Sequence, residues 1–197
     1  PPPPPVRRPQ PPEPRKVGIG VSGVQISVVK RTLARPADAD AVDAAEALAD
    51  LDGHSYRSFN LVIADNRDAF WLRSLGADDN GRIKVTEISE GLSMLTAFDL
   101  NDTASGRIDF FKPRFEAAPE PDVDLGDWTG WQSLLASTEH GPGTDSRDAM
   151  RIETDIGFGT LSSALVALPS VNFNHRKPVW LFANGAPGNA PYEPIER

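Results

Sequence analysis

Three short strand-like segments in the middle of the sequence constrain its fold more than any other feature. They are Phe59–Ala64, Phe70–Leu75 and Ile83–Ile88. The segments between them, Asn66-Arg67-Asp68 and Asp78–Gly81, favour turns, and the second ends in the hairpin dipeptide Asn-Gly. With Gly91–Ala97 as a fourth strand, residues 59–96 are predicted to form an antiparallel meander. The first run is almost entirely apolar, which predicts a strand buried on both faces.

The flanking sequence predicts further strands and three helices. Apolar residues at alternate positions over Val17–Val29 indicate β-structure. Ala41–Leu51 has one apolar face and follows Asp40, a plausible helix N-cap, so a helix is predicted there. The other predicted elements are helices over Thr103–Ala117 and Trp128–Leu135 and strands over Gly159–Leu168 and Val179–Ala183.

Composition excludes several classes of protein. At 197 residues the chain fits one domain with a core of ordinary size. Its longest apolar stretch, Ala164–Leu168, is too short to cross a bilayer, so no membrane contact is predicted. The absence of cysteine excludes disulfides, thiolate-bound zinc and a cysteine nucleophile. No apolar segment of a signal peptide follows the basic residues near the start, which predicts a cytoplasmic protein.

Charge and proline are unevenly distributed along the chain. Residues 1–35 carry seven Lys or Arg and one Glu, a net +6, so the rest must carry −14 for the chain to total −8. This acidic body argues against a nucleic-acid groove, which needs clustered cations. Residues 1–14 hold nine of the nineteen prolines. We therefore predict a disordered basic leader over residues 1–16, with docking of its prolines to a partner as an alternative, and a single domain over residues 17–197.

The densest group of polar side chains follows the predicted strand Gly91–Ala97. Its members are Asp99, Asn101, Asp102 and Arg107. Such carboxylates and an amide can hold a ligand, a metal ion or a neighbouring loop, although Ca²⁺ needs six to eight oxygens and this run alone offers too few. The structural alternative is a helix cap, with Asp102 or Thr103 as the N-cap and Asn101 closing the turn.

Hydroxyl and aromatic side chains supply two further candidate sites. Thr160, Ser162 and Ser163 open a predicted strand, but no His-Asp pair accompanies them, so cross-strand hydroxyl contacts explain them better than a serine triad does. The histidines fall in predicted loops without metal-ligand spacing; they are His54, His140 and His175. The tryptophans either line an apolar pocket for a flat or acyl ligand or cover a sheet as core; they are Trp71, Trp128, Trp131 and Trp180.

The order and spacing of several segments resemble the C-terminal half of the NRDE proteins, bacterial relatives of the second transport-and-Golgi-organisation protein. The resemblance runs from about Val29 to Pro194. Its strongest segments are Phe59–Val62, Leu95–Asp102, Pro113–Phe115, Trp128–Leu135, Gly157–Leu168 and Pro178–Ala183. It implies an α+β or α/β fold, a four-layer α/β/β/α sandwich of the N-terminal-nucleophile-hydrolase type with mainly antiparallel strands. Such hydrolases attack an amide with an N-terminal side chain whose own amine is the base.

The chain departs from the family pattern where the chemistry would be. Family members begin with a cysteine, and this sequence has none. Asn66-Arg67-Asp68-Ala69 looks like the family's name-giving tetrapeptide but lies mid-chain, and we interpret it as a turn. Family positions for an asparagine and an arginine hold Ala97 and Leu161, which cannot stabilise an oxyanion. We therefore predict an incomplete sandwich that lacks its N-terminal half and has no catalytic residue.

The resemblance implies a degenerate protein that binds or transports a small apolar or haem-like ligand, since haem-linked or lipid-linked trafficking is described for eukaryotic relatives. The predicted ligand-binding residues are Thr96, Asp99, Asn101, Asp102, Arg107, Thr160 and Ser162. No metal and no resident cofactor is predicted, and haem enters only as a ligand. Two alternatives are an amide hydrolase whose nucleophile-bearing segment is missing, and a truncated fragment without independent function. Uncovered sheet edges predict self-association.

Overall fold

The computed structural model of this protein describes residues 18–21, 25–31, 40–170 and 176–195, so the predicted leader over residues 1–16 and His175 lie outside it. It is a mixed α/β fold in which every paired strand is antiparallel. The strands are β1 Gly18–Val21, β2 Gln25–Arg31, β3 Phe59–Ala64, β4 Ala69–Ser74, β5 Ile83–Glu87, β6 Gly91–Leu95, β7 Ser163–Ala167, β8 Val179–Ala183 and β9 Glu193–Pro194. The helices are α1 Asp40–Ala49, α2 Gly106–Ala117 and α3 Thr129–Leu135.

The predicted meander is correct for three of its four strands. The strands β3, β4 and β5 form one sheet in that order, and Leu61 lies opposite Leu72. The fourth strand was placed wrongly, because β6 pairs with β2 in another sheet, with Met94 opposite Val28. The chain leaves the first sheet after the backbone N–H of Ile88 donates to Ala69. Gly91 then adopts a φ of 94°, a conformation that favours glycine and redirects the chain.

The prediction that Phe59–Ala64 is buried on both faces is wrong. This strand, β3, lies at the edge of its sheet, and the side chain of Leu61 is 38% exposed. The central strand β4 carries the buried residues instead, including Trp71 and the fully buried Leu72. Helix α1 covers one face of this sheet through Ala45, which packs against Leu72. An apolar run shows that a strand can be buried, but it does not show the strand's position in the sheet.

The sheet β7–β8–β9 lies beside β1 of the sheet β1–β2–β6. The first of these strands was predicted to begin at Gly159, but β7 begins at Ser163. Gly159 instead forms an isolated bridge with Glu153, and the backbone N–H of Thr160 donates to Ile152 at 2.9 Å. The small residues before the strand therefore pair with the preceding segment of the chain, so the strand begins four residues later than predicted.

The largest apolar core joins α2 and α3 to the strands behind them. Phe111 and Phe115 of α2 are buried, and the ring of Phe115 meets that of Trp131 edge to face at 5.5 Å. Met94 of β6 and Leu165 of β7 close this core from the sheet side. The helix at 128–135 is confirmed, with Trp128 as its N-cap residue. None of the helices in the described part of the chain is long and apolar enough to span a membrane.

Candidate functional site

Asn101 holds the polar loop between β6 and α2 against the neighbouring strand. Its φ is 60°, and its backbone N–H donates to the carbonyl of Met94 at 2.9 Å. The Asn101 Oδ1 accepts the Met94 N–H at 2.9 Å, and its Nδ2 donates to Ser93 Oγ at 3.2 Å. Asparagine tolerates this left-handed backbone and extends the strand pairing by one residue. The prediction that Asn101 closes the turn is confirmed.

The helix cap differs from the predicted one. Ser105, not Asp102 or Thr103, is the N-cap of α2, and its Oγ accepts the Ile108 N–H at 3.5 Å. Asp102 shapes the preceding turn, since its Oδ1 accepts the Ala104 N–H at 2.9 Å. The buried Thr96 lies within 3.3 Å of Ser105 through their hydroxyl oxygens. The helix starts three residues later than expected because Asp102 is committed to the turn before the helix.

Asn60 fixes the same loop to the neighbouring sheet, and the sequence did not single it out. Its Nδ2 donates to the carbonyls of Thr96 and Phe98 at 3.0 and 3.3 Å, while its Oδ1 accepts the Trp71 indole N–H at 2.9 Å. Asp99 adds an ion pair to Arg73, with 2.9 Å between Oδ1 and Nε. This pair is partly exposed, so it contributes little to stability. Asn60 stands among apolar residues in the sequence, and that context does not indicate a hydrogen bond to a loop 36 residues away.

Arg107 and Thr160 hold one segment, residues 147–152, from two sides. The Arg107 side chain is only 4% exposed; its Nε donates to Ala149 O at 2.9 Å and its Nη2 to Arg147 O. Burial lowers the pKa of Arg107, and the nearby Asp148 carboxylate partly offsets that effect. The Thr160 Oγ1 accepts the Ile152 N–H at 2.9 Å. Both side chains are therefore used to fix the backbone of this segment.

The seven predicted ligand-binding residues thus form two groups and one separate residue rather than a single pocket. Four lie in the loop after β6, two hold the 147–152 segment, and Ser162 directly precedes β7. In order they are Thr96, Asp99, Asn101 and Asp102; Arg107 and Thr160; and Ser162. Nearly all of the contacts found for the first six are to backbone or to neighbouring side chains. These side chains therefore stabilise the local backbone. A ligand would have to bind residues next to these six.

The predicted tryptophan-lined pocket is absent from the described part of the chain. Trp128 and Trp131 are buried in the largest core, Trp71 is buried in a separate cluster with Ile88, and Trp180 is 37% exposed. Three of the four rings therefore cover sheets, as the alternative interpretation held. Rings this size bury a large apolar area, and packing accounts for their positions.

The hydroxyl groups near β7 do not form a nucleophile with a base. The Tyr192 hydroxyl donates to the buried Ser163 Oγ at 2.7 Å. Burial raises the pKa of Tyr192 more than the bond to Ser163 lowers it, so the phenol stays protonated and acts as a donor. Elsewhere, His54 Nδ1 lies 2.8 Å from the Asp52 carboxylate on the surface. Across the described residues, no group of three His, Asp or Glu is arranged to hold a metal ion.

A cleft of about 470 Å³ lies where the polar loop, the start of α2 and residues 143–148 meet. We call it the acidic cleft, and its lining residues are Phe98, Thr103, Ala104, Gly106, Asp109, Gly143, Thr144, Asp145 and Asp148. Gly106 allows the walls to approach, since a Cβ there would lie 2.7 Å from Thr144 Cγ2. The site is thus formed by residues next to the predicted ones.

The three carboxylates of the acidic cleft differ in whether a positively charged side chain lies beside them. Asp145 binds Arg147, with 2.7 Å between Oδ2 and Nη2, and these bonds lower the pKa of Asp145 to about 2. Asp148 faces the buried Arg107. Asp109 is exposed in the first turn of α2, and no hydrogen bond or ion pair to its carboxylate lies within the described ranges. The helix N-terminus supplies only about half a positive charge, so the Asp109 carboxyl group can still bind a cationic ligand.

A second cleft, also about 470 Å³, lies between α3 and residues 188–192. We call it the neutral cleft, and its lining residues are Thr129, Gln132, Ser133, Ala136, Gly188, Ala190, Pro191 and Tyr192. None of these side chains is charged while Tyr192 is protonated. No feature of the sequence predicts this cleft, because its two walls are 52 or more residues apart and neither carries a recognisable motif.

Neither protein-family models, nor curated proteins, nor solved structures provide a match to this chain. Its function must therefore be inferred from the two clefts and the side chains that line them. The clefts have about the same volume, but one is lined by three carboxylates and the other by no charged side chain, so each suits a different kind of ligand.

Proposed function

We propose that this protein is a non-catalytic binding protein of the NRDE type and that it holds a small amine in the acidic cleft. The observation that carries the proposal is Asp109, an exposed carboxylate that no described residue compensates, in a cleft that also contains Asp145 and Asp148. An ammonium group bound there gains charge-assisted hydrogen bonds. The neighbouring Phe98, 48% exposed, offers an apolar surface for the rest of the ligand.

Support for a family relationship comes from the position of this cleft in the sequence. Phe98 lies inside Leu95–Asp102, one of the segments that resembles the NRDE proteins most closely. The mixed α/β fold with antiparallel strands is compatible with part of such a protein. The four-layer sandwich belongs to the proposal. Self-association and a cytoplasmic location stay predictions of the sequence.

The side-chain contacts support binding over catalysis. Ser163, the best-placed hydroxyl near the predicted strand start, accepts a hydrogen bond from a protonated phenol and has no base beside it among the described residues. A serine nucleophile needs a base that removes its proton. Ala97 and Leu161 supply no side-chain donor for an oxyanion. The amide hydrolase therefore remains the alternative, with its nucleophile on a segment outside this chain.

The charge of the cleft favours an amine over the haem-like ligand that the family resemblance implies. Haem propionates are anions, and they would meet Asp109 together with Asp145 and Asp148. Like charges at this range oppose binding. A haem-like ligand is therefore the competing outcome in the experiment that follows.

The proposal is tested by calorimetric titration of the full chain with tyramine, 4-ethylphenol and haemin. Tyramine is expected to bind, and its uncharged analogue 4-ethylphenol to bind at least about fivefold more weakly. Asp109→Asn should weaken tyramine binding by about fivefold, since it removes the uncompensated charge. Asp43→Asn is the matched control, because Asp43 is also exposed and also lies in the first turn of a helix, α1.

Two results would count against the proposal. Equal effects of Asp43→Asn and Asp109→Asn would mean that tyramine responds only to the overall negative charge of the protein. Haemin binding in preference to tyramine, unaffected by Asp109→Asn, would place a haem-like ligand elsewhere on the molecule.

A further inference from the structure

We infer that the neutral cleft is a second binding site and that its ligand is an uncharged, hydroxyl-rich molecule, of the kind that a hexose unit of a carbohydrate represents. This site is separate from the acidic cleft and does not depend on it. The inference rests on the side chains that face this cleft, on the ring that forms one of its walls and on the fixed distance between those walls.

Three polar groups of α3 face the neutral cleft from one side of the helix. Gln132 is half-buried, and its amide has no hydrogen-bond partner among the described residues, so it can both donate and accept. Ser133, one position on, presents an exposed hydroxyl. The Thr129 hydroxyl is bonded to the Asp127 carboxylate, which leaves its oxygen as an acceptor. Residues three and four apart share a helix face, so the three groups are neighbours.

Tyr192 forms an aromatic wall of the same cleft. Its hydroxyl is bonded to Ser163, which is buried, so the polar end of Tyr192 points into the protein and its ring remains to line the cleft. Ala136 and Pro191 add apolar surface beside the ring. A hexose has an apolar face of C–H groups and a rim of hydroxyls, which matches one apolar wall opposite a row of donors and acceptors.

The lining also explains why a charged ligand is disfavoured. No carboxylate, ammonium or guanidinium group is among the residues that line the cleft. A charge moved out of water into such a site loses hydration without gaining an ionic partner. The nearby Arg151 is already engaged, since its Nη1 donates to Asn189 Oδ1 at 3.2 Å and to Pro187 O at 3.3 Å.

The same contacts of Arg151 fix the width of the cleft. They hold the loop before Tyr192, and the Ala190 N–H donates to Ala186 O within that loop at 3.1 Å. The loop approaches α3 at Gly188, where a Cβ would lie 3.0 Å from the Cβ of Ala136. Walls held in this way need little reordering when a ligand enters, which favours binding of a small molecule.

The experiment is an NMR titration of the ¹⁵N-labelled full chain with three sugars of one ring shape: methyl α-D-glucopyranoside, D-glucosamine and D-glucuronate. The neutral glucoside is expected to shift the Gln132 side-chain amide saturably, and the two charged sugars to bind this cleft at least about threefold more weakly. Gln132→Ala should weaken glucoside binding by about fivefold or more. Tyr192→Phe keeps the ring and should leave the affinity within about twofold.

Asp109→Asn serves as the crossed control, because it changes only the acidic cleft. It should reduce tyramine binding and leave glucoside binding unchanged, whereas Gln132→Ala should do the reverse. The inference is overturned if the glucoside causes no saturable shift up to about 50 mM. It is equally overturned if Gln132→Ala, read from the backbone amides that line the cleft, leaves the glucoside affinity within about twofold of the unsubstituted chain, or if D-glucuronate binds this cleft as well as the glucoside does. Since each variant is read at its own cleft, failure of one proposal does not imply failure of the other.

Discussion

The acidic cleft and the neutral cleft have the same volume and the same construction, yet they differ in charge. Each is bounded on one side by a helix and on the other by an irregular segment. In the acidic cleft the irregular segment supplies two of the three carboxylates, Asp145 and Asp148, whereas residues 188–192 supply none to the neutral cleft. The covering segments therefore account for most of the difference in charge between two clefts of similar size, while each helix contributes the side chain on which its proposed ligand depends, Asp109 or Gln132.

The largest expected effect is a loss of stability from replacing Arg107, which holds a wall of the acidic cleft. Arg107→Met should lower the free energy of unfolding by about 3 kcal/mol, because the carbonyls of Ala149 and Arg147 lose a buried donor. That corresponds to a fall in Tm of roughly 6–12 °C. The matched control is Arg114→Met on the same helix, whose exposed guanidinium bonds Phe110 O and should be worth less than about 1 kcal/mol.

Thermal unfolding gives the Tm of both variants, and NMR shows which residues change their environment. Arg107→Met should disturb the amide resonances of residues 143–149 most, and those of the neutral cleft less, because Arg151 alone, among the described residues, links the 147–152 segment to Pro187 and Asn189 by hydrogen bonds. Disturbance of both clefts to the same degree would show that the 147–152 segment supports the whole domain, and the two-cleft comparison would then fail.

Two glycine substitutions, one beside each cleft, are expected to change the free energy of unfolding by an intermediate amount. Gly106→Ala should cost about 1–2 kcal/mol, because its Cβ would lie 2.7 Å from Thr144 Cγ2, and Thr144 is held by its bond to Gly141 O. Gly130→Ala in the first turn of α3 should instead stabilise by about 0.5–1 kcal/mol, since the nearest atom to its Cβ lies at 3.4 Å. Urea unfolding measures both. If both substitutions changed the free energy of unfolding in the same direction, helix propensity would decide the outcome, and the close approach at the acidic cleft would not.

The smallest expected effect is a pH dependence confined to the neutral cleft. Burial raises the pKa of Tyr192 in the folded state, so its contribution to stability is fully present below the ordinary value of 10.0 and is lost as pH rises through the folded pKa. Tyr192→Phe should cost about 1 kcal/mol at pH 7, from the lost bond to Ser163. Above pH 10 the variant should lose stability less steeply than the natural chain. The stability of both proteins is measured by urea unfolding from pH 7 to 11. If stability fell equally steeply with pH in both, the raised pKa of Tyr192 would not be the cause.

The sequence predicted the elements of this fold better than their arrangement. Periodicity and turn residues placed α1, α3 and the strands β3 to β5 within about a residue or two, because local patterns determine local structure. Pairing is a non-local property, so the sequence could not show that β6 joins β2 rather than β5. The start of α2 was placed early for a related reason: Asp102 and Ser105 are both good caps, and only the three-dimensional turn decides between them.

The candidate sites were predicted less well than the fold. The polar cluster lies beside the acidic cleft, since Asp99 to Asp102 stand between Phe98 and Thr103, which line it. The residues themselves proved to be braces, because a dense run of short polar side chains satisfies its own backbone first. Gln132 and Tyr192 had no distinguishing pattern, and the neutral cleft exists only because distant segments meet.

The amide of Asn60 joins the indole of Trp71 to the two carbonyls that carry the loop beside the acidic cleft. The indole proton of Trp71 is therefore a natural reporter of that loop, because Trp71 is buried and lines neither cleft. A single well-resolved resonance would register movement of Phe98 without a label, a dye or a substitution in either cleft. If a ligand in the acidic cleft moves this loop, the movement is expected to shift the Trp71 indole resonance of the unmodified chain.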